Sequence, residues 1–271
     1  MAVNWVDRVP TRANRVLVTP EDGSTPYYAT ITRADEPSVV GTPINAANLN
    51  AMQEGVGLSA SKYVYVSTTG SDTAGTGSQA APFATITKAL STIPKNLNGF
   101  EATIYIAAGT YPENVLIRGF TGGVLRISGE EGSSFTISGM EVILSQFVEV
   151  RNIAMNISGS YLSLVGANMR IHSPFTASGG QYGANTAFYS NLIFLNTATI
   201  SNTTNYAVVA SSLSKVYVAT LAGSGNKMSV ACTLGGNCVL GSDTMTSSGT
   251  QYFTDTGGRI LAGSQTQVPN Y

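Results

Sequence analysis

The sequence predicts a mainly-β fold, a chain coiled into a solenoid of stacked rungs, and three observations predict it. Only 11% of the 271 residues are charged, beside 29 glycines and a formal net charge of −1, whereas ordinary domains carry about 25% charged residues. A surface made polar by Ser, Thr, Asn, Gln and Gly favours short strands and turns over helices, whose outer faces use Glu, Lys and Arg. Apolar pairs two residues apart recur down the chain: Ile104/Ile106, Leu125/Ile127, Val148/Val150, Met169/Ile171, Ile193/Leu195, Val216/Val218, Cys238/Leu240 and Ile260/Ala262. Their first members are 21, 23, 21, 24, 23, 22 and 22 residues apart. A second set, Leu162, Phe188, Val208, Val230 and Phe253, advances in step with them. Two strand sets moving together at about 22 residues are what stacked rungs produce, because a rung buries its inward side chains only against neighbours about 4.8 Å above and below.

The composition also excludes several function classes. A content of 43% hydrophobic residues at near-zero net charge is the opposite of a disordered composition. No apolar run approaches the ~18 residues of a spanning helix, so membrane insertion is not expected. The 14 Lys and Arg are balanced by 15 Asp and Glu, which argues against a nucleic-acid partner. Met-Ala-Val-Asn-Trp-Val-Asp-Arg lacks the basic segment and apolar core of a secretory signal, so synthesis in a cytoplasm without a signal peptide is expected. Cys232 and Cys238 flank a Gly-Gly turn and no Cys/His cluster accompanies them; neither a metal nor another cofactor is expected. The pair reads as two buried small side chains, although a disulfide closing a very short loop would also fit.

Element by element, residues 1–60 carry ten of the 29 charges and five of the ten prolines. Short extended pieces are expected there, then a short helical segment in which Ile44, Leu49, Met52 and Val56 need something to pack on. Residues 61–100 hold an alternating strand from Lys62, a Gly-rich loop over 70–78, and a short amphipathic helix over 82–90 with Phe83, Ile86, Ala89 and Leu90 on one side. The loop has neither the Gly-Lys-Ser/Thr nor the helix-opening G-x-G-x-x-G of a phosphate cradle, so it reads as a turn. Residues 101–271 form about eight rungs. Gln146, Asn168, Asn191, Ser214 and Asn237 precede the inward pairs at 22 to 23 residues, as side chains stacked along the axis would.

Between the paired positions stand the expected outward residues, Tyr105, Arg126, Glu149, Arg170, Phe194, Tyr217, Val239 and Leu261. Arg126, Glu149 and Arg170 alternate in sign and read as an exposed ion-pair ladder. Phe194, Tyr217, Val239 and Leu261 would form an apolar stripe, read as an interface between copies of the chain.

Two segments resemble known families. Tyr63-Val-Tyr-Val-Ser-Thr-Thr-Gly-Ser-Asp-Thr-Ala-Gly-Thr-Gly-Ser, Ala81-Pro-Phe-Ala-Thr-Ile-Thr-Lys-Ala-Leu and Ile104-Tyr-Ile-Ala-Ala-Gly-Thr-Tyr-Pro-Glu-Asn-Val-Leu-Ile117 resemble the opening of pectin-lyase-like right-handed β-helix proteins. That resemblance implies a single-stranded right-handed parallel β-helix over 61–271, with 61–100 as its cap. Gly41-Thr-Pro-Ile-Asn-Ala-Ala-Asn-Leu-Asn-Ala-Met-Gln-Glu-Gly-Val56 and Trp5-Val-Asp-Arg8 resemble segments of tail-fibre and baseplate-associated proteins of phages of Gram-positive bacteria and of phage-tail-like particles. This second resemblance implies attachment to tail or baseplate proteins through 1–60, with Trp5, Pro43, Ile44, Asn45, Asn48, Leu49 and Met52 as the attachment residues. Together the two imply a tail fibre or tail spike, a homotrimer in a virion or tail-like particle, that meets a host-surface glycan.

Two other functions compete with that expectation, a polysaccharide-degrading enzyme and a particle decoration without a receptor. A glycosidase needs two carboxylates about 5–9.5 Å apart, yet beyond residue 151 the only acids are Asp243 and Asp255, each isolated. His172 lies two residues beyond Arg170, on the same outer face, with no nucleophile beside it in sequence. The expectation is therefore binding without cleavage. The longest segment that leaves the repeat, Ser173–Ala187, offers Phe175, Gln181, Tyr182 and Asn185 for stacking on sugar rings and bonding hydroxyls; it would serve equally as a loop covering the apolar stripe.

Overall fold

A computed structural model describes residues 15–18, 25, 27–30, 57–159, 161–263 and 266–267. The chain divides into two compact units, Met1–Val56 and Gly57–Tyr271. In the first, β1 (Arg15–Val18) and β2 (Tyr27–Thr30) pair antiparallel. The attachment residues Trp5, Pro43, Ile44, Asn45, Asn48, Leu49 and Met52 lie outside the described residues.

The second unit is a parallel β-solenoid of about seven turns. It opens with β3 (Lys62–Val66) and α1 (Ile86–Ser91), which buries Ile86, Ala89 and Leu90 beside Phe83. The coil follows with β4 (Glu101–Ile106), β5 (Gly109–Arg118), β6 (Val124–Ile143), β7 (Val148–Ser158), β8 (Leu162–Val165) and β9 (Asn168–Ile171). It continues through β10 (Phe175–Ser178), β11 (Tyr182–Ala187), β12 (Asn191–Ser201), β13 (Tyr206–Ala210) and β14 (Lys215–Ala222). The last strands are β15 (Met228–Cys232), β16 (Asn237–Asp243), β17 (Tyr252–Thr254), β18 (Arg259–Ala262) and β19 (Thr266–Gln267).

Three parallel ladders wrap one apolar core. On the first face the inward column runs Ala102, Leu125, Val148, Met169, Leu192, Val216, Cys238 and Ile260. The second face stacks Phe135, Met155, Phe175, Ala198 and Leu221. The third stacks Val115, Met140, Leu162, Ala184, Val208 and Val230. The eight first-face strands from β4 to β18 delimit the seven turns.

Four expectations are corrected by this register. The first-face column begins at Ala102, not Ile104, although Ile104 and Ile106 are buried as well. In β12 the inward pair is Leu192/Phe194, so Ile193 and Leu195 point outward. A slip of one residue exchanges the two sides of a strand, and it moves Phe194 from the expected surface stripe into the core at 1% exposure. On the third face the columns pass through Ala184 and Tyr252, where Phe188 and Phe253 were expected. Finally, Ser173–Ala187 is no excursion: it contains β10 and β11, and Phe175 is fully buried with its ring centroid 5.0 Å from that of Phe194.

Polar ladders also run along the axis. The Asn191 amide donates to Asn168 Oδ1 at 2.9 Å, but the next residues in register are Lys215 and Asn237. Ser214 belongs to a buried ladder instead. Ser145, Ser190 and Ser214 accept through Oγ from the backbone N–H of Phe120, Ala167 and Ser190, each at 3.2 Å, and so join consecutive turns. At the last turn the inward position of the second face is Asp243, aligned with Leu221. Its carboxylate accepts from the Tyr252 hydroxyl at 2.6 Å and from the backbone N–H of Met245 at 2.9 Å.

Candidate ligand-binding site on the first face

Two outward columns define the first face. One passes through Arg126, Glu149, Arg170, Ile193, Tyr217, Val239 and Leu261. The other begins with Tyr65 and Tyr105, whose rings stack with centroids 5.1 Å apart. In register behind Tyr105 come Ser128 and Arg151, and His172, the residue after β9, and Leu195 in β12 extend the column. The face is therefore zoned: tyrosines first, then charge, then apolar side chains. Leu195, Tyr217 and Val239 are 47%, 39% and 38% exposed, so the expected apolar stripe exists with Ile193 and Leu195 in place of Phe194.

The charged zone centres on Glu149. Its carboxylate accepts from Arg151 Nε at 2.9 Å and Arg126 Nη2 at 3.3 Å, and Arg126 is also bonded to Glu101. Its side chain is only 11% exposed, which makes this a half-sunken cluster and not the exposed ladder expected from alternating charge. Arg151, two residues along the same strand, grips Glu149 beside Arg126. Burial pushes the Glu149 carboxyl up, but the hydrogen bonds and charges of Arg151 and Arg126 outweigh it and hold it below the usual carboxylate range. The imidazole of His172 has its Nε2 3.7 Å from Glu149 Oε1, too far for a hydrogen bond. Burial, with the Arg151 charge, lowers its pKa against the opposing pull of Glu149.

Beside this cluster lies a groove of about 460 Å³ along the corner between the first and second faces, lined by Glu131, Arg151, Asn152, His172, Ser173 and Asn196 among others. The corner is irregular by construction. Strand register shifts between Ser128 and Ser133 and between Phe194 and Thr197, and Asn152 has φ 63°. Bulges and left-handed residues re-aim side chains and concentrate where ligands bind. A smaller recess of about 370 Å³ flanks Glu149 on the other side, lined by Phe147, Asn168, Arg170 and Asn191 among others. Guanidinium, imidazole and amide groups converging on a groove suit hydroxyl or carboxylate groups of a polar ligand.

The residues expected to bind a receptor do not assemble there. Phe175 is in the core. Gln181 is exposed at a turn, the Tyr182 hydroxyl accepts from Asn205 Nδ2 at 3.3 Å, and Asn185 points outward on the third face. Sequence spacing did signal Arg126, Glu149 and Arg170; it passed over Arg151, which continues the Glu149 alternation, and missed Asn152 and Asn196, which stand at the corner outside it.

The start of the cap helix is filled by the chain itself. Glu113 accepts from the backbone N–H of Ile86 and Thr87 at 2.8 and 2.9 Å. Asp72, from the Gly-rich loop, accepts from the N–H of Ala84 at 2.8 Å and from the Thr85 hydroxyl at 2.7 Å. The loop is thus a structural turn, as expected. Gly77, at φ +76°, leaves room for the Phe83 ring, which an added Cβ would meet at 2.5 Å.

Among the described residues no group of three or more His, Cys, Asp or Glu is placed to hold a metal ion, and no helix there is long and apolar enough to cross a membrane. Residues 68–117, which include Asp72, α1 and Glu113, match the model of a family described as a protein of unknown function, DUF1565, a family of β-helix type. No curated protein and no solved structure matches the chain. Family similarity over the cap and first turn, with seven stacked turns behind it, makes this chain a parallel β-helix protein.

Proposed function

We propose that the protein is a tail-fibre or tail-spike component of a phage or phage-tail-like particle. Residues 1–60 attach it to tail or baseplate proteins, and the solenoid presents a groove to a host-surface glycan. The attachment half of this reading rests on the motif over 41–56. The observation that carries the binding half is the irregular corner where Arg151, His172 and Asn196 line one groove. Sugars offer dense hydroxyls and, in acidic glycans, carboxylates, and such groups suit guanidinium and amide donors. The apolar stripe of Ile193, Leu195, Tyr217, Val239 and Leu261 supports association with further copies of the chain, as in a homotrimer.

The test is retention of the full chain on immobilised host-surface polysaccharide. Wild type binds, and R151A or N196A weakens binding about tenfold, the equivalent of about 1.4 kcal/mol. No retention of the wild type, or retention unchanged in both variants, removes the groove from the account. Release of oligosaccharides during incubation would replace binding with depolymerisation.

A further inference from the structure

Cys232 closes β15 and Cys238 stands second in β16, joined by the turn Thr233-Leu-Gly-Gly-Asn237. Leu234 and Gly235 adopt φ 49° and 77°, folding the chain back sharply. Both thiols are buried in the core with their Sγ atoms 2.7 Å apart. A covalent S–S bond is about 2.05 Å long, so the two sulfurs stand within a small side-chain adjustment of bonding. Their place in the coil also gives a route to them. They lie one turn before the last ladder strand, with Cys238 aligned on Ile260 and Cys232 on Thr254. Local opening of β17 and β18, the strands stacked on them, gives an oxidant its route at lower cost than unfolding the whole coil.

We propose that Cys232 and Cys238 are a redox-active dithiol that forms an intramolecular disulfide across this turn when the protein meets an oxidising environment. The oxidant class is a small-molecule disulfide, oxidised glutathione for instance. One cysteine thiolate attacks it, forming a protein–glutathione mixed disulfide and releasing one glutathione thiolate. The second cysteine thiolate then attacks the protein sulfur of that mixed disulfide, forming the Cys232–Cys238 bond and releasing the second glutathione thiolate. The protein loses two electrons and two protons, and one glutathione disulfide becomes two glutathiones. In a reducing cytoplasm the pair stays as thiols; outside it the bond staples the last turns of the coil. Burial pushes the Cys238 thiol well up, with Cys232 beside it adding to the effect, so oxidation proceeds slowly, on the opening of the last turn.

The experiment uses the full chain, kept reduced or incubated folded with oxidised glutathione, then unfolded in denaturant with iodoacetamide and weighed intact. The reduced sample carries two labels per chain. The oxidised sample carries none and is two hydrogens lighter than the reduced, unlabelled chain. C238S has one cysteine, takes up one glutathione or one label, and forms no internal bond. Two labels after oxidation, a stable glutathione adduct on the wild type, or disulfide-linked dimers in its place would each overturn the proposal.

Discussion

The two ends of the solenoid are closed by opposite chemistry. At the near end α1 lays Ile86, Ala89 and Leu90 over the first turns, so the core is sealed by apolar burial, and the helix start is held by Asp72 and Glu113. At the far end the inward column of the second face finishes in Asp243, bonded to Tyr252 from the third face. Burial and the Asp243 hydrogen bond push the Tyr252 hydroxyl well above the ordinary phenol range, which keeps the donor protonated. A coil whose every turn covers the one before must stop somewhere. Apolar cover seals one end, and a satisfied polar pair finishes the other.

The largest effect that tests this contrast comes from the cap. Ile86 is fully buried, so Ile86→Ala removes both transfer and cavity energy, about 2–5 kcal/mol. Denaturant unfolding followed by far-UV circular dichroism should show the whole transition shifted, because the first turns template the rest. A loss confined to a separate early transition would mean the cap is an appendage.

Asp243→Ala should cost less, about 1–3 kcal/mol, from the donors left unpaired. Its signature is local: amide exchange should rise in 237–262 and stay unchanged in 62–127. Uniform acceleration would show that the two ends are not independent.

The smallest effect lies midway. The folded Glu149 carboxyl titrates below its unfolded value, so its stabilisation is complete above the ordinary carboxylate pKa and is lost as pH falls through the depressed one. Thermal midpoints should therefore fall as pH is lowered through the ordinary carboxylate range and below it. Glu149→Gln should lower stability at neutral pH by about 1 kcal/mol and flatten that drop in midpoint. An unaltered pH profile would leave Arg126 and Arg151 without a stabilising partner role.

Much of the first face was legible in the sequence because polar residues separate its inward pairs, as in Val148-Glu149-Val150 and Val216-Tyr217-Val218. Leu192-Ile193-Phe194-Leu195 has no such separator, so alternation cannot fix its register. The signal that does is Asn191, bonded to Asn168 one turn away. The third face misled for another reason. Its inward station in β11 is the small Ala184, whereas the conspicuous Phe188 sits in the following turn at φ 55° and is exposed. Hydrophobic size marks the core only where the strand, not the turn, carries it. The groove was illegible because Arg151, His172 and Asn196 come from different strands, and their convergence depends on turn lengths and bulges that no local pattern encodes.

The last ladder strand, β18, is paired on its outer side with β19, which runs antiparallel through Leu261↔Gln267 and Ala262↔Thr266. An uncovered parallel edge would offer its free N–H and C=O groups to the first strand of another molecule, and head-to-tail stacking of that kind does not close on itself but grows into filaments. At this edge β19, a strand of reversed polarity, takes up Leu261 and Ala262 and breaks the repeat in direction, so head-to-tail addition to the first face is disfavoured there.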